Sequence, residues 1–189
     1  GRTGRWLGID NVDVVPDLIT FAKGVNSGYV PLGGVIISDP IAATFDDRVY
    51  PGGLTYSGHP LACGAAVATI NVMRDEGMVE NAARLGSDLI GPGLAKLAEN
   101  HPSVGEVRGL GAFWAIELVK DPVTREPLAP YGGSSDAMNA TVAACKAEGL
   151  LPFVNYNRIH VVPPLNILDD DVQRGLEILD RAGRHRRGC

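Results

Sequence analysis

One stretch decides how this chain is interpreted: Asp17-Leu18-Ile19-Thr20-Phe21-Ala22-Lys23-Gly24. Its apolar and β-branched residues predict a short buried strand, and the glycine that closes it predicts a tight turn. A lysine at the end of such a strand is expected to lie rigidly and close to the interior. Partial desolvation makes an amine more nucleophilic, as an imine-forming lysine requires. The alternative from spacing alone is that Lys23 is an ordinary solvated surface charge.

The sequence around this stretch predicts a mixture of strands and helices. Residues 34–38 resemble the first strand in composition and predict a second buried strand. Pro60 is well placed as the first residue of a helix that runs to about Glu76. A second helical stretch, residues 78–100, contains Gly91-Pro92, and a proline inside a helix predicts a kink or a break there.

The second half of the chain shows the same alternation. Strand patterns occupy residues 104–119, 150–154 and 159–162, and residues 121–133 predict a surface loop because they contain several prolines and glycines. Helical patterns cover residues 134–148 and the segment from Asp169 onward. This order of elements predicts an α/β part followed by an α+β part.

Composition narrows the class of protein. The chain has 189 residues, 45% of them hydrophobic, and a net charge of -5. The acidic balance argues against a nucleic-acid partner, and the short basic tail that begins at Arg184 does not reverse it. No stretch reaches the roughly 18 apolar residues of a membrane span. Three scattered cysteines without CxxC spacing argue against a disulfide framework or a metal site, which leads us to expect a cytoplasmic protein.

Several motifs, in order along nearly the whole chain, resemble those of the class III pyridoxal-phosphate-dependent aminotransferases. The finer resemblance is to the branch that acts on omega-amino acids or on taurine with pyruvate as acceptor. The motifs that carry it are Gly1-Arg2-Thr3-Gly4-Arg5-Trp6, Pro16-Asp17-Leu18-Ile19-Thr20-Phe21-Ala22-Lys23-Gly24, Pro31-Leu32-Gly33-Gly34-Val35, Thr55-Tyr56-Ser57-Gly58-His59-Pro60-Leu61-Ala62-Cys63, Val107-Arg108-Gly109-Leu110-Gly111 and Val162-Pro163-Pro164-Leu165.

The resemblance implies a fold and a division into domains. Residues 1–77 are expected to be the closing part of the large cofactor-binding domain of the PLP-dependent transferase fold (fold type I). Residues 78–189 are expected to form the small α+β C-terminal domain. The chain begins as if inside a loop, without a start methionine, which leads us to expect a truncated portion of a longer protein.

The resemblance also implies roles for particular residues. Lys23 corresponds to the lysine that holds pyridoxal 5'-phosphate as an imine and that moves the proton once substrate has displaced it. Thr55 corresponds to the threonine that binds the cofactor phosphate of the partner subunit, which implies a homodimer with a shared active site. The carboxylate that pairs with the pyridine nitrogen, and most of the phosphate loop, correspond to sequence upstream of Gly1.

The motifs leave two candidates for the residue that binds the anionic end of the substrate, Arg158 and Arg108. Related branches place an arginine where this chain has His160 and Phe153. Arg158 is close enough in sequence to take over, because a guanidinium matches a carboxylate or a sulfonate with two hydrogen bonds. Arg108 is the other candidate, with a structural alternative in which it binds the carbonyls around Gly109 and Gly111.

The resemblance therefore implies an enzyme that moves an amino group from an amine or omega-amino acid donor to a keto acid such as pyruvate. An aminomutase or a decarboxylase of the same fold would use Lys23 and Thr55 equally well. A non-catalytic dimerising fragment is an alternative of another class. For the 189 residues alone we expect ordered folding from about Met78 onward, weak cofactor binding and no transamination.

Overall fold

The computed structural model describes residues 1–184 of the chain. Cys189 and the basic tail beyond Arg184 lie outside the described residues. The chain divides into two compact units. One is Ile9–Gly77, and the other combines Gly1–Gly8 with the chain from Met78 onward. The assignment of residues 1–77 to a large cofactor-binding domain and of residues 78–189 to a small C-terminal domain stays a prediction.

The unit Ile9–Gly77 contains two strands and two helices. Strands β1 (Leu18–Ala22) and β2 (Gly33–Ile37) form a two-stranded antiparallel sheet. A short helix, α1 (Asp39–Ala43), and a long one, α2 (Pro60–Asp75), follow. Proline starts α2, as expected, because its missing N–H is one of those that a helix leaves unpaired at its beginning.

The two strands of this unit are not buried as the sequence predicted. Their apolar side chains are largely exposed, because a two-stranded sheet has too few neighbours to remove both of its faces from water. Helix α2 buries only Ala62 and Ala66, although most of its sequence is small or apolar. The exposed apolar residues of the two strands are Leu18, Val35, Ile36 and Ile37.

The other unit is built on a four-stranded antiparallel sheet of order β3-β4-β6-β5. Its strands are β3 (Val104–Leu110), β4 (Phe113–Leu118), β5 (Phe153–Asn155) and β6 (Arg158–Val161). Its helices are α3 (Met78–Leu85), α4 (Gly91–Asn100), α5 (Asp136–Ala147) and α6 (Asp169–Arg184).

The two faces of this sheet differ sharply. Alternate residues such as Ile116, Leu118 and Ile159 are buried in the core, whereas Arg108 and Glu117 lie on the opposite, solvated face. The core is continuous, and its most deeply buried large side chains come from helices and strands alike: Leu85, Ile90, Leu94, Ile116, Leu118, Met138 and Cys145.

Helices α3 and α4 are joined by one turn of π-helix, Gly86–Ile90. The Gly91 N–H donates to the Gly86 carbonyl, which is the i→i−5 pattern of a π-turn. A Cβ on Gly86 would lie 2.4 Å from the Gly111 carbonyl oxygen, so only glycine fits there. The interruption predicted around Gly91-Pro92 is thus present, because Pro92 has no N–H with which to continue an α-helical pattern.

Gly1–Gly8 packs within the same compact unit as the chain from Met78 onward. The Ala112 N–H donates to the Arg2 carbonyl at 2.9 Å, and the Arg2 guanidinium donates to the carbonyls of Ala112 and Pro163. Gly111 has φ +54°, and a Cβ there would lie 2.4 Å from the Thr3 carbonyl carbon. Backbone contacts over a large sequence separation leave no pattern in a local stretch of sequence.

The segment 121–133, predicted to be a surface loop, is partly a core element. Leu128 and Ala129 are buried, and Val119 forms an antiparallel bridge with Pro127 that fixes their position. The Leu128 N–H donates to the Leu118 carbonyl at 2.9 Å.

No helix among residues 1–184 has both the length and the apolar character that crossing a membrane requires.

Candidate functional site

Lys23 stands where strand β1 ends and a single 3-10 turn, Lys23–Val25, begins. Its backbone has φ +50°, a left-handed conformation that non-glycine residues rarely adopt and that is associated with functional positions. The side chain is exposed, which corrects the expectation of a lysine close to the interior. The amine is therefore accessible to a ligand, and the backbone fixes the point from which it projects.

Asn26, which the sequence analysis did not single out, holds the loop after Lys23. It is the buried residue of this loop, 1% exposed. Its side-chain amide donates to the Val30 carbonyl, and its Oδ1 accepts from the Gly28 N–H at 3.2 Å. The Asn-Ser-Gly sequence is a turn signal that could have identified it, because an asparagine side chain often binds the backbone two residues further on.

Thr55 lies in an exposed turn that leads into helix α2. The turn is closed by Ser57, whose N–H donates to the Leu54 carbonyl at 3.0 Å and whose Oγ accepts from the Leu54 N–H at 3.2 Å. His59 precedes Pro60, and its ring lies 5.8 Å from that of Tyr56. The Nδ1 atom of His59 is buried and has no hydrogen-bond partner among the described residues. An anion suits the beginning of a helix of this length.

Arg108 is bound to carboxylates rather than to the carbonyls around Gly109 and Gly111. Its Nη1 donates to Glu117 Oε2 at 2.7 Å and lies 3.3 Å from Glu106 Oε1. The hydrogen bond with Glu117 raises the pKa of Arg108, and the same bond lowers the pKa of Glu117. The Gly111 carbonyl instead accepts from Trp114 Nε1 at 2.7 Å. The expected structural role of Arg108, binding the carbonyls around Gly109 and Gly111, is therefore wrong in its partners, which are Glu117 and Glu106.

Arg158 begins strand β6 directly opposite Glu117 of β4. Within residues 1–184 it forms no hydrogen bond or ion pair through its side chain, in contrast to Arg108. It lines a cavity of about 400 Å³, together with Tyr131 and Tyr156. An uncommitted guanidinium beside a cavity can bind an anion.

His160 lies in the middle of β6, between Ala115 of β4 and Phe153 of β5. Its ring centroid is 5.2 Å from that of Phe153, and its Nε2 is buried without a hydrogen-bond partner among the described residues. Burial lowers the pKa of His160, and the charges of Arg158 and Arg108 lower it further. The imidazole is therefore held in its neutral form, in which it has no charge to offer a carboxylate.

The structure distributes the predicted residues between the two units. Lys23 and Thr55 belong to the unit Ile9–Gly77, each on a loop next to a regular element. Arg108 and Arg158 belong to the C-terminal unit, where both lie on the solvated face of the four-stranded sheet. The two arginines have opposite surroundings, since Arg108 is neutralised by carboxylates and Arg158 is not.

Comparison with known proteins places these features in a family. The model of the family described as aminotransferase class-III matches residues 1–182. The chain is 38% identical to 4-aminobutyrate aminotransferase GabT of Escherichia coli over 188 residues, which is 96% of this chain and 41% of that protein. It is 33% identical to taurine–pyruvate aminotransferase of Bilophila wadsworthia, with 96% of this chain and 41% of that protein covered.

A solved structure gives the same result. Taurine:2-oxoglutarate aminotransferase of Bifidobacterium kashiwanohense, solved in complex with PLP and glutamate, superposes with a TM-score of 0.90 at 39% identity. The match covers 97% of this chain and 41% of that chain. The chain thus has the fold of part of a PLP-dependent transaminase and spans about 41% of the length of these relatives. It belongs to the class III aminotransferase family.

Proposed function

We propose that this chain carries part of an aminotransferase site that moves an amino group from an amine or omega-amino acid donor to a keto acid such as pyruvate, with pyridoxal 5'-phosphate as cofactor. One observation carries the proposal. An exposed lysine, Lys23, stands at the end of β1 in a left-handed backbone conformation, on a loop that buried Asn26 holds in place. The match to the family over residues 1–182 supports the same reaction.

The residues present fit the cofactor at two points. When bound, pyridoxal phosphate supplies an aldehyde and an electron-withdrawing ring. Lys23 Nζ would bind the aldehyde carbon, and the amine that substrate sets free would carry a proton between substrate and cofactor carbons. Because the left-handed backbone at Lys23 is fixed by the turn that follows, the amine would return to the same position after each transfer.

Thr55 is proposed as a phosphate ligand. Its hydroxyl precedes α2, a helix of 16 residues, in a turn that Ser57 closes on both sides. The positive end of that helix favours a dianion. In the proposed homodimer, Thr55 would bind the phosphate held mainly by the partner subunit. The exposed apolar residues of β1, β2 and α2 support an association of this kind.

Arg158 is the proposed ligand for the anionic end of the substrate, in preference to Arg108. Arg108 already has Glu117 and Glu106 within ion-pair distance, so a substrate carboxylate would have to displace one of them. Arg158 has no carboxylate within ion-pair distance among residues 1–184, and it lines a cavity that Glu117 lines as well. A guanidinium can bind a carboxylate or a sulfonate with two parallel hydrogen bonds.

We also propose that the protein is cytoplasmic. Cys63 is a free thiol exposed on α2. A thiol left exposed on a helix is typical of a reducing compartment. Fractionation of cells that produce the protein would test the location, and recovery from an extracellular or periplasmic fraction would contradict it.

The test of the function is covalent labelling of the lysine. The protein is incubated with pyridoxal phosphate, reduced with borohydride and digested, and the modified peptide is identified by mass spectrometry. Label is expected on Lys23, and Lys23→Ala should remove it together with any amino transfer. Lys96→Ala is the matched control, because Lys96 is also an exposed lysine and lies on α4. Label on a lysine other than Lys23 would contradict the proposal.

A further inference from the structure

The loop that joins β1 to β2, residues 23–32, has an unusual backbone. Lys23 has φ +50° and Ser27 has φ +55°, although both carry a Cβ, and Gly28 has φ +77°. Left-handed conformations at residues other than glycine cost free energy, and they persist only where neighbouring groups hold them. The loop therefore needs hydrogen bonds that compensate for two unfavourable positions, one of which is Lys23.

Asn26 lies between these two positions, and its backbone is connected to both. Its N–H donates to the Lys23 carbonyl at 3.4 Å, and its carbonyl accepts from the Tyr29 N–H at 3.2 Å. The second bond closes a four-residue turn whose central residues, Ser27 and Gly28, both have positive φ, as in a type I′ turn. The backbone of Asn26 thus links the lysine to the turn.

The side chain of Asn26 uses both halves of its amide. Its Oδ1 accepts from the Gly28 N–H at 3.2 Å, and its Nδ2 donates to the Val30 carbonyl. Asn26 is the one buried residue of the loop, at 1% exposure, so water competes little for these bonds. An aspartate of the same shape would have no donor for Val30, and a serine is too short to bind both groups.

We propose that Asn26 is a positioning residue for Lys23: its amide keeps the loop in the strained form, and this form fixes the direction in which the amine projects. The role rests on the proposed function, in which the amine captures the aldehyde of pyridoxal phosphate. In that step the amine nitrogen bonds to the aldehyde carbon, and the oxygen leaves as water with the two amine hydrogens. If Lys23 relaxed to a negative φ, its side chain would point elsewhere, and the amine would meet the aldehyde less often in the required orientation.

The first measurement is made on the full chain without cofactor. In protein labelled with isotope-enriched lysine, the NMR signals come from Lys23, Lys96, Lys120 and Lys146, and the set that is lost in Lys23→Arg belongs to Lys23. The Cα and Cβ shifts of Lys23 depend on φ and should indicate a left-handed conformation in the parent chain. Asn26→Asp should move these shifts to values typical of negative φ, and should leave those of the other lysines unchanged.

The second measurement separates the orientation of the amine from its exposure. The chain is treated with pyridoxal phosphate or with formaldehyde, each followed by reduction, and the label on Lys23 is compared with that on Lys96 in the same digest. Asn26→Asp should lower the pyridoxal phosphate label on Lys23 by about five- to tenfold, the scale of lost buried hydrogen bonds. Methylation by formaldehyde, a small reagent that requires only an exposed amine, should stay nearly unchanged.

Asn157→Ala is the matched control. Asn157 is also a buried asparagine, at 8% exposure, and its Nδ2 donates to a backbone carbonyl at 2.9 Å in the C-terminal unit. The control should lower the unfolding midpoint and leave the shifts and the label of Lys23 unchanged. Asn26→Ser keeps an acceptor for the Gly28 N–H and loses the second side-chain bond. It should give an intermediate effect, and it decides the question if circular dichroism shows that Asn26→Asp does not fold.

The possible results distinguish the positioning role from the proposed function. Lower stability with left-handed Lys23 shifts in both Asn26 variants would mean a merely structural role and would overturn the proposal, as would parallel losses of the two labels. Label on a lysine other than Lys23 in the parent chain, with Lys23 shifts that still depend on Asn26, would contradict only the proposed function. Undiminished pyridoxal phosphate label on Lys23 in both variants would contradict only the positioning role.

Discussion

The two units of this chain handle their apolar residues in opposite ways. In the C-terminal unit, four helices and four strands bury a continuous core that includes Leu94, Ile116 and Met138 at 1% exposure or less. In Ile9–Gly77, the buried residues are Asn26, Ala62 and Ala66, and both strands show their apolar side chains to solvent. Similar apolar sequences are thus buried in one unit and exposed in the other, because burial depends on how many layers of secondary structure pack together.

The unit with the larger core and the unit with the proposed cofactor residues are therefore different parts of the chain. The proposed cofactor residues, Lys23 and Thr55, lie in the thinly packed unit, on loops whose order comes from a few local hydrogen bonds. The well-packed unit contributes the charged face of Arg108 and Arg158. Regions with few buried contacts open at low free-energy cost, so ligand or subunit binding can order them. Four experiments, taken from the largest expected effect to the smallest, would test this contrast.

The largest effect is expected for a matched pair of isoleucines. Ile116→Ala removes a side chain that is 1% exposed in the core and should lower the free energy of unfolding by about 2–5 kcal/mol. Ile36→Ala, in strand β2 at 47% exposure, should cost less than about 1 kcal/mol. Urea denaturation of both variants measures the difference. Equal losses would show that the two units are packed alike.

Thr55→Ala should separate cofactor retention from folding. Loss of a hydrogen bond to a charged phosphate should weaken retention of pyridoxal phosphate by about 1.5–3 kcal/mol, without a change in the unfolding of the C-terminal core. Retention is measured by dialysis against buffer without cofactor, with Thr44→Ala as a control, because Thr44 binds its own helix at the Ile41 carbonyl. Unaltered retention in Thr55→Ala would remove Thr55 from the proposed site.

Alanine substitutions at two glycines are expected to change the stability of the fold in opposite directions. Gly111→Ala places a Cβ 2.4 Å from the Thr3 carbonyl carbon at a residue with φ +54°, and should destabilise by about 1–3 kcal/mol. Gly64→Ala lies within α2 with nothing within 4 Å, and should stabilise by about 0.5–1 kcal/mol. Thermal unfolding of both variants would show which substitution lowers the stability and which raises it. A neutral Gly111→Ala would mean that Gly1–Gly8 is not held closely.

The smallest effect concerns the pH dependence of stability. Burial, aided by Arg158 and Arg108, lowers the pKa of His160 from 6.5, so the unfolded chain takes up this proton first as pH falls. The contribution of His160 to stability is therefore present above pH 6.5 and is lost as pH falls through the lowered pKa. In His160→Asn, the fall in unfolding free energy below pH 6.5 should be shallower. Superimposable pH profiles would contradict this.

Elements defined by local chemistry were predictable from the sequence. Strand β1 lies within the stretch quoted from Asp17 to Gly24, α2 begins at Pro60, and the predicted helix over 134–148 is observed as Asp136–Ala147 with a Ser135 cap. Each of these depends on neighbours in the chain: a β-branched run, a proline at the first helical position, and a serine that accepts from the Met138 N–H. The roles of Lys23 and Thr55 were inferred from motifs that resemble a family, and they stay predictions.

What depends on tertiary packing was not predictable. The exposure of Lys23 follows from the small number of strands that pair around it, and the partners of Arg108 follow from the register between β3 and β4. Neither is recorded in a local pattern. The buried side chain of Asn26 was overlooked because a turn asparagine is usually exposed, and its hydrogen bonds to Val30 and Gly28 become visible only in three dimensions.

The contact of Arg2 with Ala112 has a consequence for the order of folding. The two residues are 110 positions apart, and the chain between them passes through all of Ile9–Gly77 before it returns. Closing so long a loop has an entropic cost that local hairpins avoid, so β3 and β4 can pair early while Gly1–Gly8 joins late. A folding experiment should therefore show a slow final phase reported by Trp6, after a faster phase in which Trp114 reports the pairing of β4.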